Sequence, residues 1–200
     1  CALPISSSYH GLHVSLLQRP ADWSQVRVSY TLSKAMNNVG EAFFSGPIDP
    51  FDLSKDWGRA DSDQRHRVVV NGAVRAHGFS VSGLLQAYSA TPFNITSGVT
   101  TLQGTAGRPL VDGAFIPRNA GESTPFVSLG LRISRSLPLG SAARLELLAE
   151  VFNLTNHVNV VARNGNFGAG AYPASPSSTF GQVTAVGDPR SWQFGARVRF

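Results

Sequence analysis

Apolar and polar residues alternate along seven stretches of this chain. Alternate side chains of a strand point to opposite faces, so each stretch predicts a β-strand with one greasy and one polar side. The first is the weakest, around Leu12, Val14 and Leu16. The second sets Val26, Val28, Tyr30 and Leu32 against Arg27, Ser29, Thr31 and Ser33. The third runs from Arg67 to Arg75, with Val68, Val70, Gly72 and Val74 on one face. The fourth places Phe79, Val81, Gly83, Leu85 and Ala87 against Ser80, Ser82 and Gln86. The fifth opposes Val127, Leu129, Leu131 and Ile133 to Ser128, Gly130, Arg132 and Ser134. The sixth opposes Leu145, Leu147, Ala149 and Val151 to Arg144, Glu146 and Glu150. The seventh runs from Trp192 to Phe200, with Trp192, Phe194, Val198 and Phe200 opposite Gln193, Gly195, Arg197 and Arg199. Leu84, Leu148 and Phe152 break the rule by placing bulk on the polar side.

The connections alternate in length. Short turns are expected at Arg19-Pro20-Ala21-Asp22, Ala76-His77-Gly78 and Pro138-Leu139-Gly140-Ser141. The other links, Asn37 to Asp63, Pro92 to Ser123 and His157 to Asp188, each run to roughly 30 residues, far beyond the usual loop of about 4–6. Short turns at one end and long loops at the other match the layout of an outer-membrane barrel. Several stretches extend to about 10–13 residues, and a tilted membrane-spanning strand needs about 9–11. The expected fold is therefore all-β: an antiparallel, up-and-down transmembrane β-barrel segment of about seven strands. Bacterial barrels have even strand numbers, and an open edge in lipid leaves backbone groups unpaired. Seven strands thus read as the C-terminal third of a larger barrel. Counting back from Phe200 puts the long loops outside the cell and the C-terminus in the periplasm.

Composition narrows the class. Only 14% of residues are charged, against roughly 25% in soluble domains. With 20 glycines and 12 prolines, no apolar run is long enough for a membrane helix. The net charge is +5, but the arginines are scattered and the lysines are Lys34 and Lys55 alone. With no basic run, nucleic acid is not an expected partner. Cys1 has no partner for a disulfide, and the chain starts without an initiator methionine or a leader pattern. The cysteine says little about redox compartment; the start reads either as a removed signal or as a fragment, and the aromatic end at Phe200 favours a C-terminal fragment.

Several stretches resemble the C-terminal part of a TonB-dependent receptor of the Oar-like kind. They are Tyr30-Thr31-Leu32-Ser33-Lys34-Ala35, Asp63-Gln64-Arg65-His66-Arg67, Ala149 to His157 (AEVFNLTNH), Phe180-Gly181-Gln182-Val183 and Gly187 to Gly195 (GDPRSWQFG). The resemblance covers most of the chain from about residue 24 onward. It implies an outer-membrane barrel of about 22 strands with a plugged lumen. It also implies an N-terminal plug domain of the same protein and energy from the inner-membrane TonB complex. The cargo would be a scarce nutrient such as a siderophore, cobalamin, an oligosaccharide or a peptide. The aromatic end, with Trp192, Phe194, Val198 and Phe200, resembles the signal read by the barrel-assembly machinery.

Candidate sites follow from faces and clusters. Arg27, Arg132, Glu146, Glu150, Arg197 and Arg199 are expected to face the lumen, as cross-strand charge ladders or as contacts to plug and ligand. Asp63, Arg65, His66 and Arg67 form the densest polar cluster, expected to hold the outer end of the third strand by pairing with neighbouring lumen or loop charges, as charges near strand ends are usually solvated. The loop aromatics Phe43, Phe44, Trp57, Phe115 and Tyr172 are the expected ligand-facing surface, because function concentrates on loops carried by rigid scaffolds. The five histidines show no zinc-site spacing, and no serine elbow or phosphate loop is present. No catalytic residue, metal or cofactor is expected. Asn94-Ile95-Thr96 and Asn153-Leu154-Thr155 match the glycosylation triplet, here read as chance. The rival readings are a plug-less porin and a secreted or surface β-sandwich for adhesion or carbohydrate binding, which alternation alone also permits.

Overall fold

The computed structural model describes residues 5–39, 47–98, 107–140 and 142–200. Seven long strands form one antiparallel sheet, each paired with its neighbours in sequence. They are β1 (Ser7–Ala21), β2 (Ser24–Asn37), β3 (His66–Ala76), β4 (Phe79–Tyr88), β5 (Phe126–Leu139), β6 (Ala143–Phe152) and β7 (Ser191–Arg199). Every alternating stretch becomes a wall strand in the expected order. The weakest of them, β1, is the longest at 15 residues. The sheet is open among the described residues: β1 pairs only with β2, and β7 only with β6.

Register makes the two faces continuous. Leu16 lies opposite Val28, Val28 opposite Val70, and Val70 opposite Leu85. Leu85 then meets Leu129, Leu131 meets Val151, and Val151 meets Trp192. A slip of one residue anywhere would throw a strand's apolar set onto the wrong side. Much of this stripe is solvent-exposed: Leu16 is 62% exposed, Trp192 57% and Phe194 75%. Water-soluble sheets cover such a face; a barrel wall gives it to lipid. Eleven-residue β3 rises about 25 Å when tilted by about 40°, which matches the apolar band of an outer-membrane wall.

Two strands run past the turns expected from sequence, and proline is the reason. Pro20 and Pro138 both lie inside strands. In β1 the register shifts between Gln18 and Ala21, so Pro20 occupies a bulge of an edge strand. In β5 the pairing with β4 ends at Arg135, so Pro138 has a neighbour only on its β6 side. Both are positions where a missing N–H breaks no ladder bond. Between β3 and β4, His77 (φ 52°) and Gly78 (φ 79°) make a two-residue turn with both residues left-handed. That turn type suits the twist of a hairpin.

The bulky residues on the polar side have local room. Leu148 lies opposite Gly195, where an added Cβ would stand 3.2 Å from it. Leu84 lies between Asn71 and Gly130. Phe152 is half exposed at the loop end of β6.

Buried apolar side chains are nearly absent from the wall. Of Ile48, Ala60, Ala90, Ile95, Ile116, Val151 and Phe167, only Val151 belongs to a wall strand. The rest sit in the long loops, which carry the molecule's core.

The face assignment has a direct test. Val70→Arg, in the middle of the apolar stripe, is expected to cost about 2–4 kcal/mol of folding stability in lipid. Ala73→Arg, on the other face of the same strand, is expected to stay within about 0.5 kcal/mol. Urea unfolding of the membrane-reconstituted protein checks both; equal effects would refute the faces.

Candidate functional site

The described parts of the three long links, residues 38–39 and 47–65, 89–98 and 107–125, and 153–190, gather at one end of the wall and fold into a cap. Short ladders stiffen them: Pro92–Phe93 with Gly121–Glu122, Leu110–Val111 with Ala114–Phe115, and Val160–Arg163 with Val183–Val186. The Leu110 hairpin turns through Asp112 and Gly113, both left-handed, and Asp-Gly is a strong hairpin signal in sequence. Ile95, Ile116 and Phe167 form a buried cluster drawn from the second and third links. Phe167 meets Tyr172 and Phe180 edge-on, with centroids 5.0 and 5.1 Å away. Thr96 bridges the two links through backbone bonds to Gly165 and Phe167.

Charged side chains join the first link to the second. The Arg118 guanidinium donates to the carbonyls of Asp56 (3.2 Å) and Asn37 (3.1 Å) and faces the Asp61 carboxylate at 3.5 Å. Arg108 pairs with Asp56 at 3.2 Å and donates to the Lys55 carbonyl. Burial lowers the pKa of both guanidiniums from the ordinary arginine value, against the pull of their aspartates. Asn119 donates to the Arg59 carbonyl (2.8 Å) and to Asp61 (2.6 Å). Arg108, Arg118 and Asn119 are functional candidates that sequence reading passes over, since nothing local sets them apart from other loop residues. Two Arg108 nitrogens, Nε and Nη1, are buried without a hydrogen-bond partner among the described residues.

The polar cluster at the start of β3 divides. Asp63 is a buried hub with no side-chain exposure. Its carboxylate accepts from the Ala35 backbone N–H (2.7 Å), Arg59 Nε (2.8 Å) and Arg65 Nε (2.9 Å). Asp63 thus pairs with loop arginines but is buried rather than solvated, because the first link folds back over it. His66 and Arg67 part to opposite faces, as strand neighbours must. On the apolar side His66 Nδ1 lies 2.8 Å from the Tyr30 hydroxyl. On the polar side Arg67 stacks over Tyr88 at 4.7 Å.

Arg27, Arg132, Glu146, Glu150, Arg197 and Arg199 share the polar face by register. Arg132 reaches Glu150 at 3.3 Å, and Arg199 reaches Glu146 at 3.3 Å. Arg197 is the direct register partner of Glu146, yet the more distant Arg199 makes the bond. At the turn end of this face, Arg75, Ser80, Ser134, Ser136 and Glu146 line an open depression of about 470 Å³.

Trp192, Phe194 and Val198 lie on the apolar face of β7, with Phe200 fully exposed beyond it. The rings of Trp192 and Phe194 stack nearly parallel. Among the loop aromatics, Trp57 is exposed while Tyr172 is spent on the cap's own core. Phe43 and Phe44 lie outside the described residues. No group of three or more histidine, cysteine or acidic side chains is placed to hold a metal among the described residues.

The AEVFNLTNH and GDPRSWQFG stretches meet at the base of the third link. Asn153 is buried in a left-handed conformation (φ 48°). Its amide donates to the carbonyls of His157 (3.0 Å) and Asp188 (3.1 Å), and its oxygen accepts from the His157 N–H. Asn156 accepts from the Arg190 N–H at 3.0 Å. These asparagines clamp the two ends of the link together. The buried Asn153 amide has no room for a glycan.

An up-and-down antiparallel wall, one exposed apolar face, turns at one end and a folded cap at the other define an outer-membrane β-barrel domain. The family model described as "Outer membrane beta barrel domain" matches residues 4–114, more than half of the chain, and the chain belongs to that family. No curated protein matches it. It is an outer-membrane protein.

Two outcomes test the Asp63 hub. Asp63→Ala takes the carboxylate from Arg59, Arg65 and the Ala35 N–H, leaving Arg59 its bond to the residue-63 carbonyl, and is expected to destabilise the cap by about 3 kcal/mol, at the low end for a broken buried pair because Arg65 is partly exposed. Hydrogen exchange should speed up in residues 35–65 and stay slow in β4 and β5. Burial raises the Asp63 pKa, but the Ala35 N–H, Arg59 and Arg65 outweigh it and hold it below the ordinary aspartate value. Its contribution is thus present above the ordinary value, near pH 4, and is lost as pH falls through the depressed one. Cap exchange should accelerate on acidification below about pH 4, and the Asp63→Asn variant should lose that dependence.

Proposed function

We propose that this chain is the C-terminal barrel segment of a TonB-dependent outer-membrane receptor that takes up a scarce nutrient. The observation that carries the reading is the cap. The described parts of three long links at one end of the wall pack into a unit with its own apolar core and buried charge pairs, while the described residues at the other end form tight turns. A passive pore needs no such construction; a receptor that selects its cargo does. The resemblance of the AEVFNLTNH and GDPRSWQFG stretches to Oar-like receptors supports it, because those residues set the base of a link. In this reading the links are extracellular and the C-terminus periplasmic. The polar face with Arg27, Arg132, Glu146, Glu150, Arg197 and Arg199 lines the lumen and meets the protein's own plug. The TonB complex supplies energy, and the barrel-assembly machinery reads the terminal aromatic strand. The chain performs no covalent chemistry. A β-sandwich module fits poorly, since among the described residues no second sheet covers the apolar face.

The test is uptake. Cells starved of iron, cobalamin or carbon are compared with and without the whole protein, and with and without the inner-membrane TonB complex. Uptake of one nutrient should require both. Uptake that survives loss of the TonB complex would sink the receptor reading and leave a porin.

A further inference from the structure

The apolar face carries one cation at its turn end. Arg135 shares the parity of Leu129, Leu131 and Ile133 on β5, so its side chain stands on the lipid side of the wall. Its direct register neighbours are Phe79 on β4 and Leu147 on β6. Along its own strand it lies between Ile133 and Leu137. No acidic residue faces it from β4, β5 or β6. The polar-face arginines differ: Arg132 and Arg199 each have a glutamate. Arg135 has only a ring, with its guanidinium 4.6 Å above the centre of Phe79.

An unpaired cation on a lipid-facing surface is costly at mid-bilayer, and the cost falls steeply towards the interface. Arg135 stands at the interface. Phe79 is the first residue of β4 after the His77-Gly78 turn, so the pair lies near the turn end of the wall, with only Leu137 and Leu139 beyond it on the same face of β5. At the opposite end the same face carries His10 opposite Lys34. Stacking on Phe79 uses one flat side of the guanidinium and fixes its direction. The in-plane N–H edges remain open, and those edges match phosphate oxygens.

We propose that Arg135 and Phe79 form a binding site for the phosphate of a glycerophospholipid in the leaflet at the short-turn end. The ring orients the cation, the headgroup phosphate accepts its N–H bonds, and Ile133, Val81 and Leu147 bear the acyl chains. This site is independent of any cargo or plug.

The whole protein in detergent, titrated with phosphatidylglycerol and read by native mass spectrometry, tests it. Wild type should hold a tightly bound lipid, and Arg135→Gln should weaken that binding about tenfold or more, as expected for loss of a charge-assisted hydrogen bond. Arg135→Lys should retain part of the affinity, and Phe79→Leu should lose part of it while keeping the apolar surface. Arg75→Gln, on the polar face near the same turn, should bind as wild type. Heat-modifiable gel migration confirms that each variant is folded. Equal binding by wild type and Arg135→Gln would overturn the site. So would equal retention by wild type of a diacylglycerol lacking the phosphate, or an equal loss in Arg75→Gln.

Discussion

The structure depends on one constraint: backbone N–H and C=O groups near a membrane need partners, and strands of unequal reach leave some without a neighbour. Antiparallel pairing satisfies the wall's middle. At the loop end β2 overhangs β3, β3 begins beside the end of β4, and β5 overhangs β6. Each long link repairs one overhang with a side chain, and the first link adds a backbone ladder of Gly58–Arg59 on Met36–Asn37. Asp63 accepts the Ala35 N–H where β3 has not begun. Ser89 Oγ accepts the His66 N–H at the head of β3. Asn159 both accepts from the Val127 N–H and donates to its carbonyl, taking the place of a strand residue beside β5. The links therefore finish the sheet as well as covering it.

That double duty explains why the cap is ordered. Once Asp63 is fixed by β2, its two arginines are fixed with it, and the Arg59 carbonyl then receives Asn119 from the second link. Arg118 ties the same region to Asn37 at the end of β2. The third link is fastened by Asn159 to β5 and by Asn153 across its own base. Rigidity of the wall is thereby passed to surfaces far from any wall strand.

Much of the wall was legible in sequence because a period of two is a local property. Seven stretches alternate, and seven strands form with those faces. Ends were less legible: Pro20 and Pro138 read as turns, and only the pairing partner tells whether a proline costs a bond. The cap was barely legible. Asp63 looks like a solvated strand-end charge until a link folds over it, and Tyr172 looks like a surface ring until Phe167 comes beneath it. Ile95, Ile116 and Phe167 are scattered singly through loops, so no periodicity announces a core. Asp112-Gly113 is a short-range hairpin signal within a long link that the reading by alternation passed over.

Asn153 shows why resemblance and physics meet at particular residues. The phenylalanine-asparagine-leucine stretch carries part of the likeness to Oar-like receptors. Its asparagine sits where β6 must stop and the chain must turn away from the sheet. A left-handed residue is needed there, and asparagine tolerates that conformation better than most. Its amide must also bind two carbonyls, one near each end of the third link, while its oxygen binds an N–H. Glycine would meet the first demand and fail the second; glutamine would supply the amide and strain the backbone. A short side chain with both polarities answers each demand at once. The motif is therefore a device for closing a long loop on a strand end, and it identifies the architecture more directly than it identifies any cargo.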